Sequence, residues 1–472
     1  MAKKDFNQIV IGGGSAGLIT SYISAIVGAK VALVEKHKMG GDCLNTGCVP
    51  SKALIKSAKV ANSIKKSKDY GISLNGEVDF SKVMERVQSV IKAIEPHDSV
   101  ERYTKLGVDC FTEEAHIIGP NEVKIGDKKF TTKNITVATG ARPFVPPFKG
   151  LEKIKVLSSE NLWDLREKPG ALVVLGGGPI GCEMAQAFNR LGVSVTLVER
   201  ESNLLGREDS KASAIIENVL KSEGVDIQLN TEIEEFTDSN TAKTKSGGSI
   251  SFTHIIFALG RKPNTTGFGL EELDLEYNSN GTLKVDPFLR TTKYKNIFAC
   301  GDVAGPFQFT HTASHQAWYV AVNSLFSPFY KKKANYQVIP RVTFTEPEVA
   351  SVGLSEEELK TNNVDFMTTI YELSESDRAL CESETDGFVK VLTKGKTDEI
   401  LGATVVSPVA GEMLTEITFA MNHKKGLNGI MSTVHPYPTW SEANKAVAGQ
   451  WKNKTKPEKI LEWLKTYHRF RR

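Results

Sequence analysis

Several things are scarce in this sequence of 472 residues. Cysteine occurs only six times, at positions 43, 48, 110, 182, 300 and 381. A secreted disulfide framework is denser, so four of the six read as buried thiols in a reducing cytoplasm. No apolar run reaches the roughly 18 residues of a spanning helix. The opening MAKKDFNQIVIGGG lacks a long apolar core and a cleavage site, so no signal peptide is expected. Net charge is only +3, too close to neutral to imply nucleic acid as a partner. With 40% hydrophobic and 24% charged residues and no long biased segment, the chain is globular, and its length suggests about three domains.

What is present is a close cysteine pair. Cys43 and Cys48 lie in GGDCLNTGCVPSK, Gly40 to Lys52. The chain arrives there from a short apolar strand, Asn7 to Ile11, then Gly12-Gly-Gly14-Ser-Ala-Gly17, an apolar helix, and a second strand ending at Glu35. This is a βαβ unit with G-x-G-x-x-G. The glycines serve the tight turn, the approach to a pyrophosphate and helix–strand packing. The helix N-terminus supplies free N–H groups to phosphate, and Glu35 suits ribose hydroxyls. The unit recurs: Gly176, Gly178, Gly181 and Glu199 match Gly12, Gly14, Gly17 and Glu35, each 164 positions later. Such a fourfold match indicates two dinucleotide-binding domains and two dinucleotides, one able to pass hydride to the other.

Between the fingerprints, residues 60–106 read as largely helical with a loop near 69–77. Two strands end alike, one at Gly140-Ala-Arg-Pro and one at Gly260-Arg-Lys-Pro-Asn, and read as paired domain exits. A buried strand ends in Gly301-Asp302, where the carboxylate suits a ribityl or ribose hydroxyl or, alternatively, a helix N-cap. From Tyr336 onward, strands and turns followed by a helix at 411–422 suggest an α+β domain suited to an interface. The fold class is therefore α/β, with two Rossmann-like domains and a C-terminal α+β dimerisation domain. The expected segments are 1–150 (first dinucleotide), 151–265 (second dinucleotide), 266–337 (completing the first) and 338–472 (C-terminal, with a basic tail).

From Ile9 to about Gly449 the chain resembles the flavoprotein disulfide reductases, the group of dihydrolipoamide dehydrogenase, glutathione reductase and mercuric reductase. The resemblance rests on the cysteine stretch, Ala138-Thr-Gly140, the second fingerprint, Gly301-Asp302 and Phe344-Thr-Glu-Pro-Glu-Val-Ala-Ser-Val-Gly353, in that order. It implies FAD in the first domain, NADH or NADPH in the second, and a homodimer. It further implies that Cys43 and Cys48 form a redox-active disulfide, with Cys48 against the flavin and Cys43 meeting substrate. Lys52 and Glu183 match the family's ion pair near the reactive flavin nitrogen. A cationic Lys52 would favour a Cys48 thiolate.

The family's general base comes from a His-Pro-Thr segment ending in Glu, reaching across from the other subunit. Here the stretch reads His435-Pro-Tyr437-Pro-Thr-Trp-Ser-Glu442. Aligning Pro-Thr-x-x-Glu without a gap puts Tyr437 at the base position. Alternatively His435-Pro436 is the motif, with two residues inserted. Tyr437, like Gly206-Arg-Glu-Asp209, is similar to mercuric reductase, yet the tail has no terminal cysteine pair and no metal-binding domain is read before Ile9. A phenol titrates near 10 and is a poor neutral-pH base. The expected activity is NAD(P)H oxidation through flavin and the disulfide to a small molecule or metal ion. Alternatives are dihydrolipoamide dehydrogenase and a low-turnover flavin redox sensor. Glu199 favours NADH, while Arg200, Arg207 and Lys211 could accommodate a 2′-phosphate. The tail, 456–472, reads as a solvated helix packing one stripe on its domain or, less simply, as a contact with an anionic membrane surface.

Overall fold

A computed structural model describes residues 3–472. It separates into two compact units. The first comprises residues through Gly176, Ala187–Thr196 and Glu232–Asn335; the second comprises Gly177–Gln186, Leu197–Thr231 and Tyr336–Arg472.

The first unit is built on β1 (Phe6–Ile11), α1 (Ser15–Ile26) and β2 (Val31–Val34). β1 runs parallel to β2 and to strand Lys128–Val137, and Ile297–Ala299 adds a further parallel strand. A sheet covered on both faces needs strands apolar on both faces. Accordingly Ile9 and Ile11 enter one core with Val34, Ile135 and Ile297, and Val10 enters the other with Leu33, Leu18 and Phe298. Gln8 is the buried polar residue of β1. It is fully buried, donating to Thr136 Oγ1 at 2.7 Å and accepting from Ser24 Oγ at 2.8 Å. Both bonds offset its desolvation.

A short helix, α2 (Gly41–Asn45), and a long one, α3 (Cys48–Lys66), follow, with Thr46 and Gly47 between them. The region to Leu106 is largely helical, as the sequence indicates. The two Gly-turn exits pair directly: Ala141–Pro143 and Arg261–Pro263 form a two-stranded antiparallel ribbon. Asn264 secures it, donating to the Thr139 carbonyl at 3.0 Å and accepting from Arg142 at 2.7 Å. In the same unit, Ala171–Leu175, His254–Phe257 and Val156–Leu157 form parallel pairs.

The second unit carries a five-stranded sheet that is antiparallel throughout, ordered Arg341–Thr343, Glu348–Gly353, Ile400–Ser407, Phe388–Lys394 and Phe366–Glu372. Helices Ala410–Asn422, Leu427–Ser432 and Glu442–Lys454 share its core through Ile417, Ile430, Val447 and Trp451. Within this unit Glu208 pairs with Arg341 at 2.8 Å and accepts from Ser351 at 2.7 Å. Asp209 caps helix Ser210–Ser222 and pairs with the buried Lys390 at 2.6 Å. The Gly206–Asp209 stretch is thus anchored by its carboxylates. The C-terminal helix, Glu458–Phe470, has no buried residue, so its apolar stripe is not packed away as the simpler sequence reading expects.

Candidate active site

The cysteine stretch is pressed against the first glycine loop. Gly41 has φ +57°, and a Cβ there would lie 2.6 Å from the Gly14 Cα. A Cβ on Gly17 would overlap the Gly12 carbonyl at 1.8 Å, so α1 can lie this close to β1 only with glycine there. The dithiol segment and the phosphate-binding loop are one structure. Asn45 holds α2 by donating to the Met39 and Gly41 carbonyls at 3.0 and 2.8 Å, and Trp163 Nε1 donates to the Thr46 carbonyl at 2.9 Å.

Cys48 opens the 19-residue α3, where free N–H groups and the helix dipole favour an anion. Both cysteines are free thiols, Cys43 half-buried and Cys48 exposed. Cys48 is lowered to about 6, chiefly by a hydrogen bond from Cys43, with Thr310 and the charge of Lys52 assisting against desolvation and Asp42. Cys43 is pushed upward, first by donating that bond to Cys48 and then by burial. These contacts favour the negative charge on Cys48 and the proton on Cys43. Thr310 Oγ1 is 3.3 Å from Cys48 Sγ. The sequence reading did not single out Thr310; only its position at the start of a helix soon after Gly301-Asp302 could have pointed to it.

Arg261 is a second residue that was not anticipated. It bridges Asp42 at 2.5 Å and Asp302 at 3.3 Å, linking the residue before Cys43 to the Gly-Asp turn. Asp302 is not a helix N-cap: the helix after it runs Thr310–Phe326 and is preceded by Phe309. Burial raises the Asp302 carboxyl, and Arg261 opposes that rise. Gly301 N–H donates to Gln316 at 2.6 Å, which fixes the turn. Gly140 has φ +65° and open space where a side chain would be.

The repeat extends to hydrogen bonds. Glu35 accepts from Gly13 N–H at 2.7 Å and His37 N–H at 2.8 Å. In the second unit Glu199 accepts from Gly177 N–H at 2.6 Å and Glu201 N–H at 2.9 Å. Each carboxylate retains lone pairs for ribose hydroxyls. Gly176 and Gly260 lie in the first unit, and Gly178 and Gly181 in the second. Arg200 pairs with Glu201 at 3.0 Å, and Lys211 is held by Glu372. The donor set and the close glycine contacts fit FAD at the first loop.

In the second unit, Glu183 is buried and accepts the Phe344 N–H at 2.9 Å. The His435 side chain is only 5% exposed. Its Nε2 meets the Glu416 carboxylate at 3.0 and 3.1 Å, and its Nδ1 meets the Thr433 carbonyl at 3.1 Å. Asn444 donates to the same Glu416 at 2.9 Å. Tyr437 is 71% exposed and donates to Asp377 at 2.9 Å, a bond that raises its phenol. Glu442 contacts neither by hydrogen bond; it accepts from Thr439 N–H at 3.3 Å and closes the turn.

Two dinucleotide loops, with a thiol–thiolate pair built onto the first, define an FAD-dependent oxidoreductase that takes electrons from NAD(P)H and works through a redox-active disulfide. Comparison with known proteins agrees. Residues 6–317 match the pyridine nucleotide-disulphide oxidoreductase family, and residues 339–448 match its dimerisation domain. The chain belongs to this family. It is 34% identical to dihydrolipoyl dehydrogenase of Geobacillus stearothermophilus over 92% of this chain and 93% of that one. It is 30% identical to mercuric reductase of Bacillus cereus over 93% of this chain and 70% of that one. Among solved structures it is similar to the HOCl-induced flavoprotein disulfide reductase RclA of Escherichia coli, also solved as a Cu(II) complex. The TM-score to RclA is 0.84 at 27% identity, covering 94% of this chain and 99% of that one.

Proposed function

We propose that the Cys43–Cys48 pair reduces a soft divalent metal ion, with NADH as the donor. One observation carries this: both candidates for the base position are already engaged within their own subunit. Both His435 nitrogens face acceptor oxygens in a buried pair, and the Tyr437 phenol donates to Asp377. Attack on a disulfide needs proton transfer at the interchange sulfur, whereas a thiophilic cation needs thiolate ligands. The mercuric reductase relative and the Cu(II) complex of RclA support the same acceptor class.

The family's dimerisation domain supports a homodimer. In our reading, Tyr437 and Glu442 of one subunit face the partner subunit's cysteine pair, and the tyrosyl oxygen orients or ligates the cation. Lys52 stabilises the Cys48 thiolate. The first glycine loop and Glu35 would hold FAD, which would supply the two-electron link between the nicotinamide and the disulfide. With one solvent proton, NADH converts the disulfide into two thiols. Reoxidation re-forms the S–S bond, releases two protons, and sends two electrons to one divalent ion or one electron to each of two. Cys43, outermost in electron flow, meets the ion; Cys48 completes the bond. NADH is favoured because Glu199 is fixed by two backbone donors and Lys211 is held by Glu372. Steady-state NADH oxidation with Hg(II), Cu(II), lipoamide and glutathione disulfide tests the reading. Turnover with the disulfides alone would overturn it.

A further inference from the structure

The C-terminal helix is the one long element of the second unit without a buried residue. Along Glu458–Phe470, Ile460, Trp463, Leu464, Tyr467 and Phe470 recur at helical spacing and form a single stripe. Ile460 is 55%, Trp463 64% and Phe470 94% exposed. Trp463 and Tyr467 stack at 5.8 Å, which holds the stripe flat.

Charge separates with it. Residues 456–472 hold six Lys and Arg against two Glu, a net +4, whereas the whole chain is +3, so the other 455 residues sum to −1. Lys456 and Lys459 flank the stripe at its start, and Arg469, Arg471 and Arg472 flank its end. Like charge disfavours pairing of this helix with its own copy. The match to the dimerisation domain also stops at residue 448, before the helix begins. An amphipathic helix with aromatic residues in its stripe and cations at its edges has the composition of an in-plane interfacial helix. No helix among the described residues is long and apolar enough to cross a membrane.

We propose that helix Glu458–Phe470 docks the protein on an anionic bilayer surface, its apolar stripe inserted and its lysines and arginines at the headgroups. Docking would place NADH oxidation beside the membrane without involving the catalytic residues.

The test is flotation of the holoenzyme with phosphatidylglycerol–phosphatidylcholine vesicles against pure phosphatidylcholine vesicles. Binding is expected only with the anionic lipid, with release near 1 M salt, where the Debye length is about 3 Å. Lys459→Glu with Arg469→Glu should lower partitioning about tenfold or more. Trp463→Ser with Phe470→Ser should lower it comparably, and truncation after Thr455 should abolish it. All should leave solution turnover unchanged. Absence of binding, or equal binding to both vesicle types, overturns the proposal. So does strong hydrogen-exchange protection of the helix without vesicles, which would place its stripe against a second copy or another protein.

Discussion

Thr310 Oγ1 stands 3.3 Å from Cys48 Sγ, although 262 residues separate them in sequence. Its hydroxyl is a neutral group placed to donate to Cys48 when that sulfur is a thiolate. A hydrogen bond to a charged group contributes about 1.5–3 kcal/mol, and one pH unit corresponds to about 1.4 kcal/mol. Thr310→Val should therefore raise the Cys48 value, lowered to about 6, by about one unit. Thr310→Ser should keep it. The pH titration of the long-wavelength thiolate–flavin absorbance in the two-electron-reduced enzyme measures this. Because the group is depressed, the wild-type band should persist down to about pH 6 and fade below it, while in Thr310→Val it should fade at higher pH.

His435 is expected to be structural. Replacing it with Ala leaves Glu416 with one of its buried partners gone, costing about 2 kcal/mol of stability. Chemical denaturation should show the loss, while kcat per folded enzyme stays within about twofold with any acceptor, since a lost general base would cost about a hundredfold or more.

Tyr437 should behave in the opposite way. Tyr437→Phe removes one exposed hydroxyl and should shift stability by less than about 0.5 kcal/mol. Metal-ion turnover should nevertheless fall, because the oxygen that orients the cation is gone. Tyr437→His supplies an imidazole at the base position and should raise turnover with small disulfides by about a hundredfold. Steady-state assays with both acceptor classes read both effects.

Coenzyme choice has its own check. The kcat/KM for NADH should exceed that for NADPH by about tenfold or more, and Glu199→Ser should narrow the ratio by relieving repulsion of a 2′-phosphate. Stopped-flow flavin reduction with each coenzyme measures it.

Much of this was legible in the sequence because local rules and global packing agree. β1 reads as a strand because Ile9, Val10 and Ile11 are all apolar, and the sheet is covered on both faces. The 164-residue repeat predicts two loops, and the structure repeats even their carboxylate hydrogen bonds. Thr310 and Arg261 were not legible, because each meets its partner only through tertiary folding. Strand Glu348–Gly353 lies inside a motif that carries the family resemblance, and its small residues hide its paired place between Arg341–Thr343 and Ile400–Ser407. The burial of His435 was also invisible, since Glu416 lies 19 residues away on another element.

The most direct test of the central claim follows the two sulfurs themselves. Enzyme reduced with one equivalent of NADH is mixed with Cu(II) or with lipoamide, quenched in acid, alkylated, and the Cys43–Cys48 peptide is weighed by mass spectrometry. Cu(II) is expected to restore the disulfide within a turnover, with Cu(I) formed alongside, while lipoamide leaves both thiols to be alkylated. Rapid return of the disulfide with lipoamide, and none with Cu(II), would contradict that claim.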